Sequence, residues 1–191
     1  MKKAFFLVLL PFVLAPVSDA CVGKVLNIGV VDSTGGQVLA EMVSAIITER
    51  TGTSVSVRFF HDAQTLDDAL RVKQVDISIE NTERAIHILN RQPESDINKT
   101  FETVKSAYEK EKGLVWLKPF GFLNANGASP THTAAVLRAD ILTNFPALPR
   151  VIGKLGTAIN DETYARLVRS VESGEKPKKV ARDFLKAKKL I

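Results

Sequence analysis

From residue 25 to residue 31 the chain reads Val-Leu-Asn-Ile-Gly-Val-Val, a short, β-branched and mostly apolar run that predicts a buried strand. A polar turn follows at Asp32-Ser33-Thr34-Gly35-Gly36. Val38, Leu39, Met42, Val43, Ile46 and Ile47 then recur at helical spacing, and Gly52 stands where a C-terminal cap is needed. Residues 54–60 alternate as a second strand, residues 62–74 read as a helix with Leu66, Ala69 and Leu70 inward, and residues 75–79 as a third strand. This strand–helix alternation predicts a parallel sheet with crossover helices. Residues 82–90 predict a helix that ends before Pro93. Residues 98–112 form an amphipathic helix with Phe101, Val104 and Tyr108 on one stripe, stopped by Gly113. Residues 114–117 and 131–138 read as the fourth and fifth strands. Between them, residues 119–130 form a connection in which Asn126-Gly127 signals a tight turn. The rest is helical, at 141–145, 148–155, 161–172 and 178–189, with Asn160 as an N-cap. No internal repeat is present.

Composition narrows the class. The chain has 191 residues, 45% hydrophobic and 25% charged, with 11 Gly and 8 Pro, which excludes disorder for its bulk and collagen-like repeats. One domain, or two small ones, fits this length. A lone cysteine, Cys21, excludes an intramolecular disulfide framework and a cysteine-based zinc site. The formal net charge of +5 suits an anionic partner and is equally common in exported proteins; no nucleic-acid partner is expected on charge alone. Lys2 and Lys3, the apolar run 4–14 and the stretch Ser18-Asp19-Ala20 have the three-part layout of a secretory signal peptide over residues 1–20, leaving a domain at 21–191. Ser18 and Ala20 suit plain cleavage before Cys21. In the other processing reading Cys21 is acylated and anchors the protein to the envelope.

Candidate chemistry is sparse. Gly35-Gly36 lacks the Lys-Ser/Thr pair of a phosphate loop, no H-E-x-x-H is present, and His61, His87 and His132 are far apart. Asp67 and Asp68 are adjacent and so diverge on a helix. No enzyme activity, cofactor or metal is expected. Two polar clusters stand out. Asp32, Ser33, Thr34 and Gly35 open a helix after the first strand, where free N–H groups can receive a carboxylate or phosphate; a plain turn capped by Ser33 or Thr34 is the other reading. Ser78, Glu80 and Asn81 end the third strand, where ligand crevices of open sheets lie; a helix start capped by Thr82 is the alternative. The C-terminal Lys176, Lys178, Lys179, Arg182, Lys186, Lys188 and Lys189 read as a solvated amphipathic helix face, with membrane or nucleic-acid contact as the other reading.

Several blocks carry a resemblance when taken in order: Ile28-Gly29, Glu41-Met42, Ala69-Leu70, Val75-Asp76-Ile77 with Glu80 and Thr82, the run 113–122 (GLVWLKPFGF), Arg138-Ala139-Asp140, Asp161-Glu162-Thr163 and the run 179–185 (KVARDFL). Over nearly all of residues 24–191 the chain resembles the glycine betaine/choline-binding proteins of bacterial ABC importers. That family folds as two α/β lobes around its ligand. Its points of exit from and return to the first lobe are nearly adjacent here, bridged by residues 125–129. The resemblance therefore implies one lobe of a type II periplasmic-binding-protein fold, with the second lobe missing near 124–129. Its fold class is α/β, a mostly parallel five-stranded sheet with flanking helices and a helical C-terminus. Family members hold a trimethylammonium group in an aromatic box. Ser78 and Asn81 stand at box positions here, while Tyr108, Tyr164 and Trp116 read as helix or strand residues. The ligand-binding candidates are Asp32, Ser33, Thr34, Gly35, Ser78, Glu80, Asn81 and His132. The resemblance implies a non-catalytic, exported, periplasmic solute-binding protein. A small quaternary-ammonium solute, an ABC permease and a second copy in a homodimer are its implied partners. The alternative is an envelope interaction module that has lost solute binding.

Overall fold

Strand β1 (Leu26–Val31) sends Leu26, Ile28 and Val30 to one side of the sheet and leaves Gly29 on the other. In the computed structural model, which describes residues 24–120 and 131–191, β1 runs parallel to β2 (Val55–Phe60) and to β3 (Ile77–Asn81). The fifth strand, β5 (Thr133–Arg138), is antiparallel to β3 and to β4 (Leu114–Trp116), giving the order β2-β1-β3-β5-β4. Four strands thus share one direction, as a mostly parallel sheet requires, and β5 is the exception.

Helix α1 (Thr34–Thr51) is capped at its start by Ser33 Oγ, which accepts from Gly36 N, and at its end by Gly52 in the left-handed conformation (φ 70°). Its apolar stripe packs on one sheet face with α5 (Ala139–Asn144), α6 (Leu148–Ile152), α7 (Asp161–Glu172) and α8 (Pro177–Ala187). The opposite face is covered by α2 (Ala63–Arg71), α3 (Thr82–Ile88) and α4 (Ile97–Ala107), the last continued by a π-helical turn, Tyr108–Lys112. Gly29 makes this second layer possible. A Cβ there would lie 2.5 Å from Leu66 Cδ1 on α2. Phe101, Trp116 and Tyr108 meet edge to face at 5.9 and 5.5 Å in the same layer, so these aromatics are core residues, as is Tyr164 against α1 on the other side.

Three expectations shift. The third strand begins two residues later than its apolar run, because Val75 N still bonds back to Ala69 O and Asp76 is engaged by its side chain. Asp76 accepts from Asn27 N at 2.8 Å and pairs with Arg138 at 3.0 Å, and Arg138 also donates to Val75 O (2.6 Å) and to Asp140 (3.1 Å). The cap of α3 is Asn81 rather than Thr82: Asn81 Oδ1 accepts from Arg84 N at 2.8 Å. The predicted fifth strand likewise starts at Thr133, two residues late. The capping role of Asn160 holds, with Thr163 N donating to it at 2.9 Å. The expected leader, Cys21 and the expected Asn126-Gly127 turn lie outside the described residues.

The antiparallel placement of β5 explains how so short a connection can follow β4. Leu117 N donates to Ala135 O at 3.0 Å and Phe120 N to Thr133 O at 2.7 Å, so outgoing and returning chain are already paired. The described residues form one lobe with a single sheet.

Candidate functional site

In a parallel sheet the loops that follow the strands share one edge, and helix N-termini gather there. Here that edge carries the β1–α1 loop, the β3–α3 junction and the start of β5. Asp32 is exposed; its N–H donates to Phe60 O (2.8 Å), and its Oδ1 accepts from Gln37 Nε2 (2.7 Å). Ser33 is spent on the α1 cap. Thr34 and Gly35, half-buried in the first turn, are in the part of the helix whose N–H groups have no partner within the helix. Gly36 is buried under them, and a Cβ on it would lie 2.8 Å from both Val31 O and Ser33 Oγ.

The β3 side of the edge is locked to β5. Thr82 N donates to His132 O (2.9 Å) and His132 N donates to Thr82 Oγ1 (3.1 Å). The His132 ring lies on the α4 side, 3.1 Å from Asn98 Oδ1 and edge to face with Phe101 at 5.4 Å; burial lowers its pKa from the ordinary 6.5 and so favours the neutral imidazole. Thr131 is buried and its hydroxyl has no partner among the described residues. It lines a groove of about 820 Å³ on the flank of α3 and α4, together with Thr82, Glu83, Ile86, His87 and Glu94.

The candidate residues therefore divide. Asp32, Ser33, Thr34, Gly35, Asn81 and His132 gather at the strand edge, although Asn81 is held as a cap. Ser78 and Glu80 do not reach it. Opposite Val136 and Ala134 in the ladder, they face the layer of α2, α3 and α4. Glu80 Oε1 accepts from Arg84 Nε at 2.6 Å and from Asn81 N at 3.0 Å. Burial raises the Glu80 pKa above its ordinary value against the opposing pull of Arg84. Its charge in turn adds to the burial that pushes the nearby Tyr108 phenol upward. Sequence reasoning missed Arg84 as the partner of Glu80, though the i, i+4 spacing was visible. It also missed the Thr131–Thr82 groove, which has no signal in local spacing.

Comparison with known proteins bears on the fold and the family. Residues 24–129 match the family described as the substrate binding domain of ABC-type glycine betaine transport system. No curated protein matches the chain. Among solved structures, a glycine betaine/carnitine/choline ABC transporter protein superposes with a TM-score of 0.79 at 13% identity, covering 86% of this chain and 99% of that one. Apo YehZ from Escherichia coli gives 0.77 at 13% identity over 88% of this chain and 100% of that one. Lactococcal OpuAC, closed on glycine betaine, gives 0.53 at 8% identity, covering 87% and 96% respectively. At these identities the superpositions speak for the fold, an α/β periplasmic-binding-protein lobe. The family match spans more than half of the sequence, and the chain belongs to the substrate-binding domain family of ABC-type glycine betaine transport systems.

Proposed function

We propose that this protein is an exported, non-catalytic solute-recruiting component of an ABC importer that binds a small quaternary-ammonium zwitterion at the strand edge and presents it to a permease. The observation that carries the reading is the convergence, on one edge of a binding-protein lobe, of the α1 N-terminus and the Thr82–His132 clasp beside the Thr131 groove. The unpaired N–H groups of the first turn of α1 suit a carboxylate. The groove gives a solute a concave surface, and Glu83 and Glu94 put negative charge on its rim for a cationic head. Asp32, Asn81 and His132 border the solute in this reading. Ser78 and Glu80 support the edge from behind.

A single lobe contacts a ligand from one side, whereas enclosed pockets bury most of a ligand's surface. Affinity is accordingly modest, in the millimolar range, about 4 kcal/mol. Calorimetric titration with glycine betaine, choline and carnitine tests the reading. Saturable heat with at least one of them is expected, weakened several-fold by Glu83→Lys, a change at an exposed helix position. No heat from any of the three up to roughly tenfold above that range, or the same affinity in Glu83→Lys, overturns it.

A further inference from the structure

Residues 173–191 hold seven Lys or Arg against two Asp or Glu, an excess equal to the formal net charge of the whole chain, +5; the preceding residues carry 19 of each sign. The structure concentrates this excess on one surface. α8 buries Val180, Ala181, Phe184 and Leu185 against α1, so its apolar side is already spent. Lys178, Arg182, Lys186 and Lys189, at i, i+4, i+8 and i+11, share the outward stripe. Lys179 is held by Glu175 and Asp183 (both 3.0 Å) and Arg182 by Glu49 (2.7 Å). Lys176, Lys178, Lys186, Lys188 and Lys189 are exposed, and none of them has an ion pair within 4 Å among the described residues.

The position of this stripe in the lobe matters as much as its charge. Arg50, at the C-terminal end of α1, donates to Leu190 O (2.6 Å) and Lys189 O (3.3 Å). The last lysines therefore sit at the end of the sheet opposite the candidate edge. β1 begins at this same end, where Leu26 N bonds to Ser54 O just beyond Gly52.

We infer that this end of the lobe is a docking face for the anionic headgroups of a phospholipid membrane. A membrane fits better than the other anionic partners. The stripe is almost all lysine, its one arginine is already paired, and no exposed aromatic ring accompanies it, so it lacks both the stacking platforms of a nucleic-acid site and the anchors of a protein interface. Lysines on flexible stems suit a diffuse, fluid array of charge. Contact is peripheral and salt-sensitive because the apolar side of α8 is already packed on α1 and is not free to insert. It leaves the opposite edge turned away from the bilayer. The inference does not depend on solute binding.

The test uses the full chain and the triple variant Lys186→Gln/Lys188→Gln/Lys189→Gln, sedimented with phosphatidylcholine vesicles or with vesicles containing about one third phosphatidylglycerol. Comparing the two chains at a constant N-terminus cancels any contribution of the leader. The wild type is expected to partition more strongly onto the anionic vesicles and to lose that preference at high salt. The triple variant should be weaker by about fivefold per lysine, on the order of 100-fold in all. A second variant, Lys176→Gln/Lys178→Gln, should lose a smaller share, and matching circular dichroism melts establish that both variants remain folded. Equal partitioning of wild type and triple variant, equal binding to both vesicle types, or stronger competition by a single-stranded oligonucleotide than by anionic vesicles of equal charge overturns the inference.

Discussion

Arg138 is the residue whose loss should cost the lobe most for the size of the change. Its guanidinium, about a tenth exposed, joins Asp76 at 3.0 Å, Asp140 at 3.1 Å and Val75 O at 2.6 Å. Burial alone would lower its pKa, but the hydrogen bonds and charges of Asp140 and Asp76 outweigh burial and hold it above its ordinary value. Asp76 is itself 4% exposed and also receives Asn27 N, so the network ties β1, β3 and β5 together at one end of the sheet. Arg138→Met keeps much of the apolar stem and leaves Asp76 as an uncompensated buried charge. Removing one partner of such a pair costs roughly 3–5 kcal/mol. With a urea dependence of about 2 kcal/mol/M for a chain of this size, the unfolding midpoint should fall by about 2 M at unchanged slope. Asp140→Asn, on a half-exposed partner, should cost no more than about 1 kcal/mol. The double variant Arg138→Met/Asp76→Asn should recover part of the loss, because it removes the stranded charge. A midpoint shift below about 0.5 M for Arg138→Met, or one equal to that of Asp140→Asn, would refute the reasoning.

Two further outcomes follow from the edge and its support. Gly36→Ala forces a methyl group to within 2.8 Å of Val31 O, a backbone atom that cannot swing aside, and of the Ser33 cap. It should destabilise by about 1–3 kcal/mol in chemical denaturation, and a neutral change would mean the α1 N-terminus is not packed as described. Glu80→Gln tests the buried carboxyl. Because burial raises its folded pKa above 4.5, the folded state favours the protonated form, and wild-type stability falls as pH rises from about 4.5 through the folded value. The advantage of wild type over Glu80→Gln should therefore be largest below pH 4.5 and shrink as pH rises. A gap that stays constant or widens with pH would contradict that sign.

Most of the architecture was readable from spacing alone. The apolar stripe of α1, the inward Leu66, Ala69 and Leu70 of α2 and the cap at Asn160 are local signals and stand as read, and of the two caps open to α1, Ser33 and Thr34, the structure uses Ser33. The misses have nonlocal causes. Asn81 and Thr82 are both good capping residues, and the choice between them is set by where β3 stops. That end is set by pairing with β5, where Asn81 lies opposite Thr133, 52 positions along the chain. The direction of β5 was equally hidden, since its run Thr-Ala-Ala-Val-Leu-Arg is apolar enough to sit between two neighbours in either sense. At the candidate site, helix-opening residues were legible because capping chemistry is local. The inward turn of Ser78 and Glu80 was hidden by register, since a one-residue slip sends a strand side chain to the other face.

The paired ends of β4 and β5 also make this lobe a natural splice point. Leu117–Ala135 and Phe120–Thr133 zip the sheet shut on either side of the crossing, so whatever is sewn in between adds nothing to the ladder and removes nothing from it. A foreign module whose own termini lie close together could be grafted across residues 121–130 with the paired strand ends left whole, which makes the crossing a place to mount a reporter.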